Sequence, residues 1–147
     1  MISRKFAIII VAVIVVGIVF LNFYYLSQVK IQSLTEKEKK EIYPKAKKIV
    51  DEVLQAFNEG NYTKFSENFN LQMKNSLGKE KFVEVRNKII SDVGLYVSTK
   101  NMQLFKRDNY IGVLYDTEFE KKPVKVEVYL EKTDMLTFQI AGLWFKY

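Results

Sequence analysis

With no histidine and no cysteine in 147 residues, any acid–base chemistry in this chain falls to carboxyl and phenol groups. Imidazole catalysis, thiol chemistry, disulfides, a lipoprotein anchor and the usual zinc sites are excluded together. What remains is a carboxylate facing a tyrosine across an apolar pocket, with burial shifting one of the two pKa values. Tyr115 lies in the alternating run YIGVLYDTEFEKK, where Ile111, Val113, Tyr115, Thr117 and Phe119 share one face and Asp116 and Glu118 the other. Asp51 and Asp92 fall on the polar sides of their expected helices. The pattern therefore places no carboxylate inside near Tyr115, and it predicts no catalytic residue. Asp51, Asp92 or Asp116 within hydrogen-bond reach of Tyr115 or Tyr62, lining an open apolar cavity, is the arrangement that would speak for catalysis. The sequence contains no Gly-rich phosphate loop, acidic calcium loop or nucleophile elbow, so neither a metal nor a cofactor is expected.

These side chains need a scaffold, and the run AKKIVDEVLQAFNEGNYTKFSENF supplies its centre. Ala46, Ile49, Val50, Val53, Leu54 and Phe57 recur three or four apart, as on one face of a helix that Gly60 would end. Asn61 can cap a following piece, and Phe65, Phe69, Met73 and Leu77 continue at four-residue spacing with a break near Asn68–Asn70. Phe82, Val85, Ile89 and Val93 predict a third helix closed by Gly94. From Leu95 the period becomes two, which predicts strands over Leu95–Phe105, Tyr110–Glu120, Val124–Glu131 and Leu136–Tyr147. The last strand changes parity between Ile140 and Leu143, so a bulge is expected at Gly142. Three helices on a four-stranded antiparallel meander make an α+β domain.

Ahead of the domain, Phe6–Leu26 has no charge in 21 residues and would span about 31 Å as a helix. The organisation expected is a basic tail (1–5), a transmembrane signal anchor (6–27), a lysine-rich arm (28–43) and the domain (44–147). Thr35 and Glu38 form a capping box in the arm, and Pro44 predicts a kink near Lys40 or a fresh helix start. Arg4 and Lys5 favour a cytoplasmic N-terminus, the seven lysines after Val29 argue the other way, and the short basic N-terminus is taken to decide for a domain outside the cell membrane. Residues 30–50 hold seven Lys against three Glu, whereas 51–147 hold fourteen basic and fourteen acidic side chains. The net charge of +6 therefore belongs to the tether, and no nucleic-acid partner is expected. Lys37, Lys39, Lys40, Lys47 and Lys48 are candidate contacts to a membrane surface, set against the plainer reading of a solvated spacer.

Two patches carry a resemblance. FNEGNYTKFSENFNLQM after an amphipathic helix, and YIGVLYDTEFEKK with the closing IAGLWFKY, resemble small anchored or secreted domains of the cystatin-like or nuclear-transport-factor-like cone superfamily. The resemblance covers about residues 44–147 and implies a cone of helices on a curled sheet. It also implies that enzymes of this kind work inside the cone with Asp, His or Tyr, so a His–Asp dehydratase is excluded here.

Phe57, Tyr62, Phe65, Phe69, Tyr115, Phe119 and Trp144 are the candidate lining of a pocket between helices and sheet, and equally the material of a plain core. Asn61-Tyr62-Thr63 fits the N-glycosylation pattern. The sequence thus predicts a membrane-anchored, non-enzymatic binding or interaction domain, monomeric or weakly dimeric, for a protein partner or a small apolar ligand. The alternatives are an isomerase-type enzyme using the cone cavity and a subunit that assembles through its outer sheet face. Lys125, Glu127 and Glu131 on that face weigh against the second.

Overall fold

A computed structural model describes residues 31–147 apart from 135 and 136. The expected anchor, Phe6–Leu26, lies outside the described residues, as does Leu136 of the expected last strand. Among the described residues no helix is long and apolar enough to cross a membrane. Gln32–Tyr147 form one compact unit.

The elements are β1 (Ile31–Gln32), α1 (Glu36–Glu59), α2 (Tyr62–Phe65), α3 (Leu71–Ser76), α4 (Lys79–Val93), β2 (Tyr96–Arg107), β3 (Tyr110–Phe119), β4 (Pro123–Lys132) and β5 (Phe138–Lys146). Four helices therefore stand where three were expected, because the second piece breaks at Asn68–Asn70. Asn61 and Asn70 each cap the helix that follows, their side-chain oxygens accepting from Lys64 N and Met73 N.

α1 begins at the Thr35 capping box, where Glu38 accepts from Thr35 N at 2.8 Å and Thr35 Oγ1 accepts from Glu38 N at 3.3 Å. The helix runs through Pro44 without a fresh start, so residues 36–43 of the expected arm are its first two turns. Its buried face is Ala46, Val50, Val53, Leu54, Ala56 and Phe57, and Gly60 ends it in the left-handed conformation at φ 68°. Asn58 then fastens that end to the sheet: its amide donates to Tyr96 O at 2.7 Å and accepts from Tyr96 N at 2.9 Å.

The sheet is antiparallel and curled in the order β1-β2-β3-β4-β5, five strands where four were expected because the short β1 joins the meander β2–β5 at the β2 edge. Its inner face carries Met102, Val113, Tyr115, Thr117, Phe119, Val124, Val126, Val128, Leu130 and Ile140, all buried. The parity expected for β3 and β4 holds throughout. In β5 the register slips where Tyr129 faces Gly142 and Leu130 faces Ile140, leaving Ala141 as the extra residue. That bulge, one residue before the Gly142 expected, turns both Ile140 and Leu143 inward as expected, and Phe145 follows them onto Phe57 at 5.1 Å between ring centroids. The outer edge of β5 is covered by the chain before α3, where Ile140 N donates to Asn68 O at 2.7 Å and Asn70 N donates to Ile140 O at 3.0 Å.

Candidate functional site

The β5 bulge has a consequence for the surface. By setting Leu143 and Phe145 inward beyond the edge covered by Asn68–Asn70, it forms one wall of a cleft of about 480 Å³. The opposite walls are α3 and its C-cap, with Gln72, Met73, Ser76 and Leu77, and the first two turns of α4, with Phe82 and Val85; Phe57 and Phe65 lie between them. The aromatic contacts are tight, with Phe65 on Phe82 at 4.5 Å and on Phe69 at 5.2 Å. A cleft of this size with mostly apolar walls suits a small ligand.

Two cations border the cleft and no carboxylate does. Arg86 is committed to the fold: its Nε and NH2 donate to Phe57 O at 2.6 Å and Asn58 O at 2.8 Å, two carbonyls at the C-terminal end of α1. Its guanidinium also lies 5.9 Å from the centre of the Phe57 ring. Lys81 is exposed and makes no ion pair among the described residues.

Of the seven expected pocket residues, the cleft gathers Phe57, Phe65 and Trp144. Tyr62 sits behind it, its hydroxyl donating to Leu77 O at 3.0 Å and its ring 5.7 Å from Phe82. Phe69, Tyr115 and Phe119 are buried in the core and border no described cavity. Trp144 departs from the expected placement between helices and sheet: it stands on the outer face, 49% exposed, and reaches the cleft only at its mouth. The parity switch already implied this, since Leu143 and Phe145 inward leave Trp144 outward. The sequence reading missed Met73, Leu77, Phe82, Val85, Leu143 and Phe145 as lining residues, although each was marked as part of an apolar face. Nothing in the sequence marks Lys81, whose place at the rim depends on how α4 meets β5.

The outer face holds a second, shallower hollow of about 320 Å³, lined by Gln72, Arg107, Asp108, Tyr110, Tyr129, Ala141 and Trp144. Tyr129 is its fixed centre: its hydroxyl accepts from Arg107 NH1 at 2.9 Å and donates to Glu127 Oε1 at 2.7 Å. Burial alone would raise the Glu127 pKa, but hydrogen bonds from Lys146 and Tyr129 hold that carboxyl below its ordinary range. The Tyr129 phenol is pushed up by burial and by the same Glu127 contact.

The carboxylates fall as follows. Asp116 pairs with Lys125 at 3.1 Å on the outer face. Asp92 takes Lys88 at 3.0 Å and the Tyr147 hydroxyl at 2.9 Å at the surface, and both hydrogen bonds lower its pKa. Asp51 corrects the sequence reading: it lies on the polar side of α1, yet its Oδ1 accepts from the Tyr115 hydroxyl at 3.3 Å while Oδ2 pairs with Lys47. The reach comes from Tyr115, whose long side chain passes beneath α1 so that its hydroxyl emerges at Lys47 O, 3.4 Å away. Burial first, and Asp51 second, push that phenol well above the ordinary tyrosine range. The contact is a phenol kept protonated at the rim of the core, with no described cavity bordered by either residue.

The expected membrane lysines line the exposed length of α1. Lys39, Lys47 and Lys48 pair along the helix with Glu36, Asp51 and Glu52, while Lys37 and Lys40 make no ion pair among the described residues. Asn61 is half-buried at the start of α2, with its side-chain oxygen in the cap.

The family described as "Protein of unknown function (DUF3887)" matches residues 50–138. The chain belongs to the DUF3887 family. No curated protein and no solved structure matches it significantly. The DUF3887 match takes in the buried half of α1, the other helices and three strands, and it ends where β5 begins. The bulged wall of the cleft, Ala141–Phe145, therefore lies beyond the matched span.

Proposed function

We propose that this chain is a non-catalytic binding protein, displayed outside a membrane by the anchor 6–27, and that its site is the cleft between α3, α4 and β5. The helices on one face of a curled sheet support placing the domain in the cystatin-like or nuclear-transport-factor-like cone superfamily. The ligand is a small amphipathic anion, an apolar body bearing one carboxylate or phosphate group. One observation carries the reading: the walls of the 480 Å³ cleft are mostly apolar, with Gln72 and Ser76 as their neutral polar groups, and among the described residues its charged rim groups are Lys81 and Arg86. An apolar body gains about 25 cal/mol for each Å² it removes from water, and an anionic head meets a lysine that no carboxylate neutralises.

Trp144 is the sole tryptophan and borders the mouth of the cleft, so its emission reports on occupancy. Decanoate should shift that emission in a fragment spanning 32–147, with Kd on the order of 10–100 µM. Decanol should bind more weakly, and Lys81→Glu should weaken decanoate about tenfold without affecting decanol, a difference of about 1.4 kcal/mol. Equal binding of acid and alcohol, or no response to millimolar decanoate, would rule the cleft out as a site for such anions.

A further inference from the structure

The outer-face hollow is built differently from the cleft and points to a different ligand. Gly142 and Gly112 flank Tyr129 in adjacent strands, and each leaves its place to a neighbouring ring. A Cβ on Gly142 would stand 2.2 Å from Trp144 Cη2, and one on Gly112 would stand 2.1 Å from Phe105 Cζ. The Trp144 and Phe105 rings therefore rest against bare backbone. Trp144 sets its Cη2–Cζ3 edge over Gly142 and remains 49% exposed. Tyr129 stands edge-on to it at 5.5 Å and 89°, and Tyr110, 37% exposed, stands edge-on to Tyr129 at 6.4 Å and 88°.

Around these rings the polar groups are planar and mixed in sign. The side chains of Gln72 and Asp108 carry no hydrogen bond or ion pair among the described residues, and Arg107 uses one of its five N–H donors on Tyr129. Asp108 is held at φ 53° in the two-residue β2–β3 turn, which fixes where its carboxylate leaves the sheet.

We propose that this hollow is a carbohydrate site, in which a pyranose ring lies on the exposed side of Trp144 and its hydroxyls reach Gln72, Arg107 and Asp108. The axial C–H groups of a sugar form a faintly positive apolar face, which suits the negative face of an aromatic ring. Its neighbouring hydroxyls each donate and accept, which suits an amide, a carboxylate and a guanidinium set side by side. A quaternary ammonium would also favour aromatic faces. Here, however, Arg107 already lies 5.7 Å from the centre of the Tyr129 ring, so an added cation would compete with it for that face.

The test uses the full chain in phosphatidylethanolamine–phosphatidylglycerol vesicles, with Trp144 emission as the signal. Cellotriose, maltotriose and chitotriose are titrated separately to about 20 mM, with choline chloride as the cationic comparison. At least one trisaccharide should change the emission, with half-saturation on the order of 1 mM. Tyr110→Ala and Asp108→Asn, neither of which touches the cleft, should each raise that concentration at least about fivefold. Trp144→Ala should abolish the saturation-transfer signal of the same sugar by ligand-observed NMR. The assignment is overturned if none of the three sugars alters the emission, if Tyr110→Ala and Asp108→Asn both titrate like the parent, or if choline matches the sugars. Because neither variant alters the cleft, decanoate binding remains a separate readout.

Discussion

Replacing Gly142 by alanine separates the two demands that meet at the β5 bulge. The φ of Gly142 is not positive, so the backbone itself accepts a side chain, and the unfolded-state effect of Gly→Ala favours the variant by about 0.4–1 kcal/mol. The new methyl would, however, occupy the space of the Trp144 ring, 2.2 Å from Cη2. Trp144 is 49% exposed, so about half of its surface is covered. If a fully enclosed tryptophan buries up to about 250 Å², that half is worth about 3 kcal/mol, and lifting the ring off the sheet forfeits roughly half of it. The edge-on contact with Tyr129 adds about 0.5–1.5 kcal/mol. After the opposing backbone gain, Gly142→Ala should cost about 1–2 kcal/mol. In a Trp144→Ala background the same substitution should be neutral or stabilise by up to about 1 kcal/mol, a coupling of about 2 kcal/mol. Urea unfolding of the four proteins, followed by far-ultraviolet circular dichroism so that loss of the tryptophan does not matter, measures the cycle. An equal cost in both backgrounds would show that the bulge geometry, and not the ring, requires glycine.

Gly94→Ala should be the costlier glycine change, about 2–3 kcal/mol by urea unfolding, because Gly94 sits at φ 83° and its Cβ would meet Glu120 Cβ at 2.6 Å. Tyr115→Phe should cost about 0.5–1 kcal/mol at pH 8, since both hydrogen bonds of the hydroxyl are long. It should also flatten the loss of stability above about pH 10: there the unfolded chain releases a phenol proton that the folded chain, with its raised pKa, retains, so folding weakens as pH rises. Protease added to intact cells should digest the domain and leave the segment before Lys30; a protected domain would reverse the expected orientation.

Most of the fold was legible because period and punctuation agree along the chain. Val124, Val126, Val128 and Leu130 alternate without a break, and β4 follows them inward residue by residue. The α1 stripe ends at a glycine that takes the left-handed cap. Pro44 misled because its local cost of about 3 kcal/mol competes with a face buried from Ala46 to Phe57 and a complete capping box, and those carry the helix through it. The candidate site was legible in its materials but not in its assembly. Phe57 and Phe65 were identified, yet whether Phe69 and Phe119 close the core or open onto a cleft depends on how far α3 and α4 stand from β5. The Asp51–Tyr115 contact escaped for a related reason, since periodicity gives the face on which a side chain starts and not the length over which a tyrosine reaches.

The central claim, that the cleft between α3, α4 and β5 is the binding site, is tested most directly by methyl NMR of the 32–147 fragment titrated with decanoate. Saturable shifts should concentrate at Met73, Leu77, Val85 and Leu143, with Val113 and Val126 beneath the sheet unmoved. Shifts spread over the surface, or centred on residues outside the cleft, would contradict it.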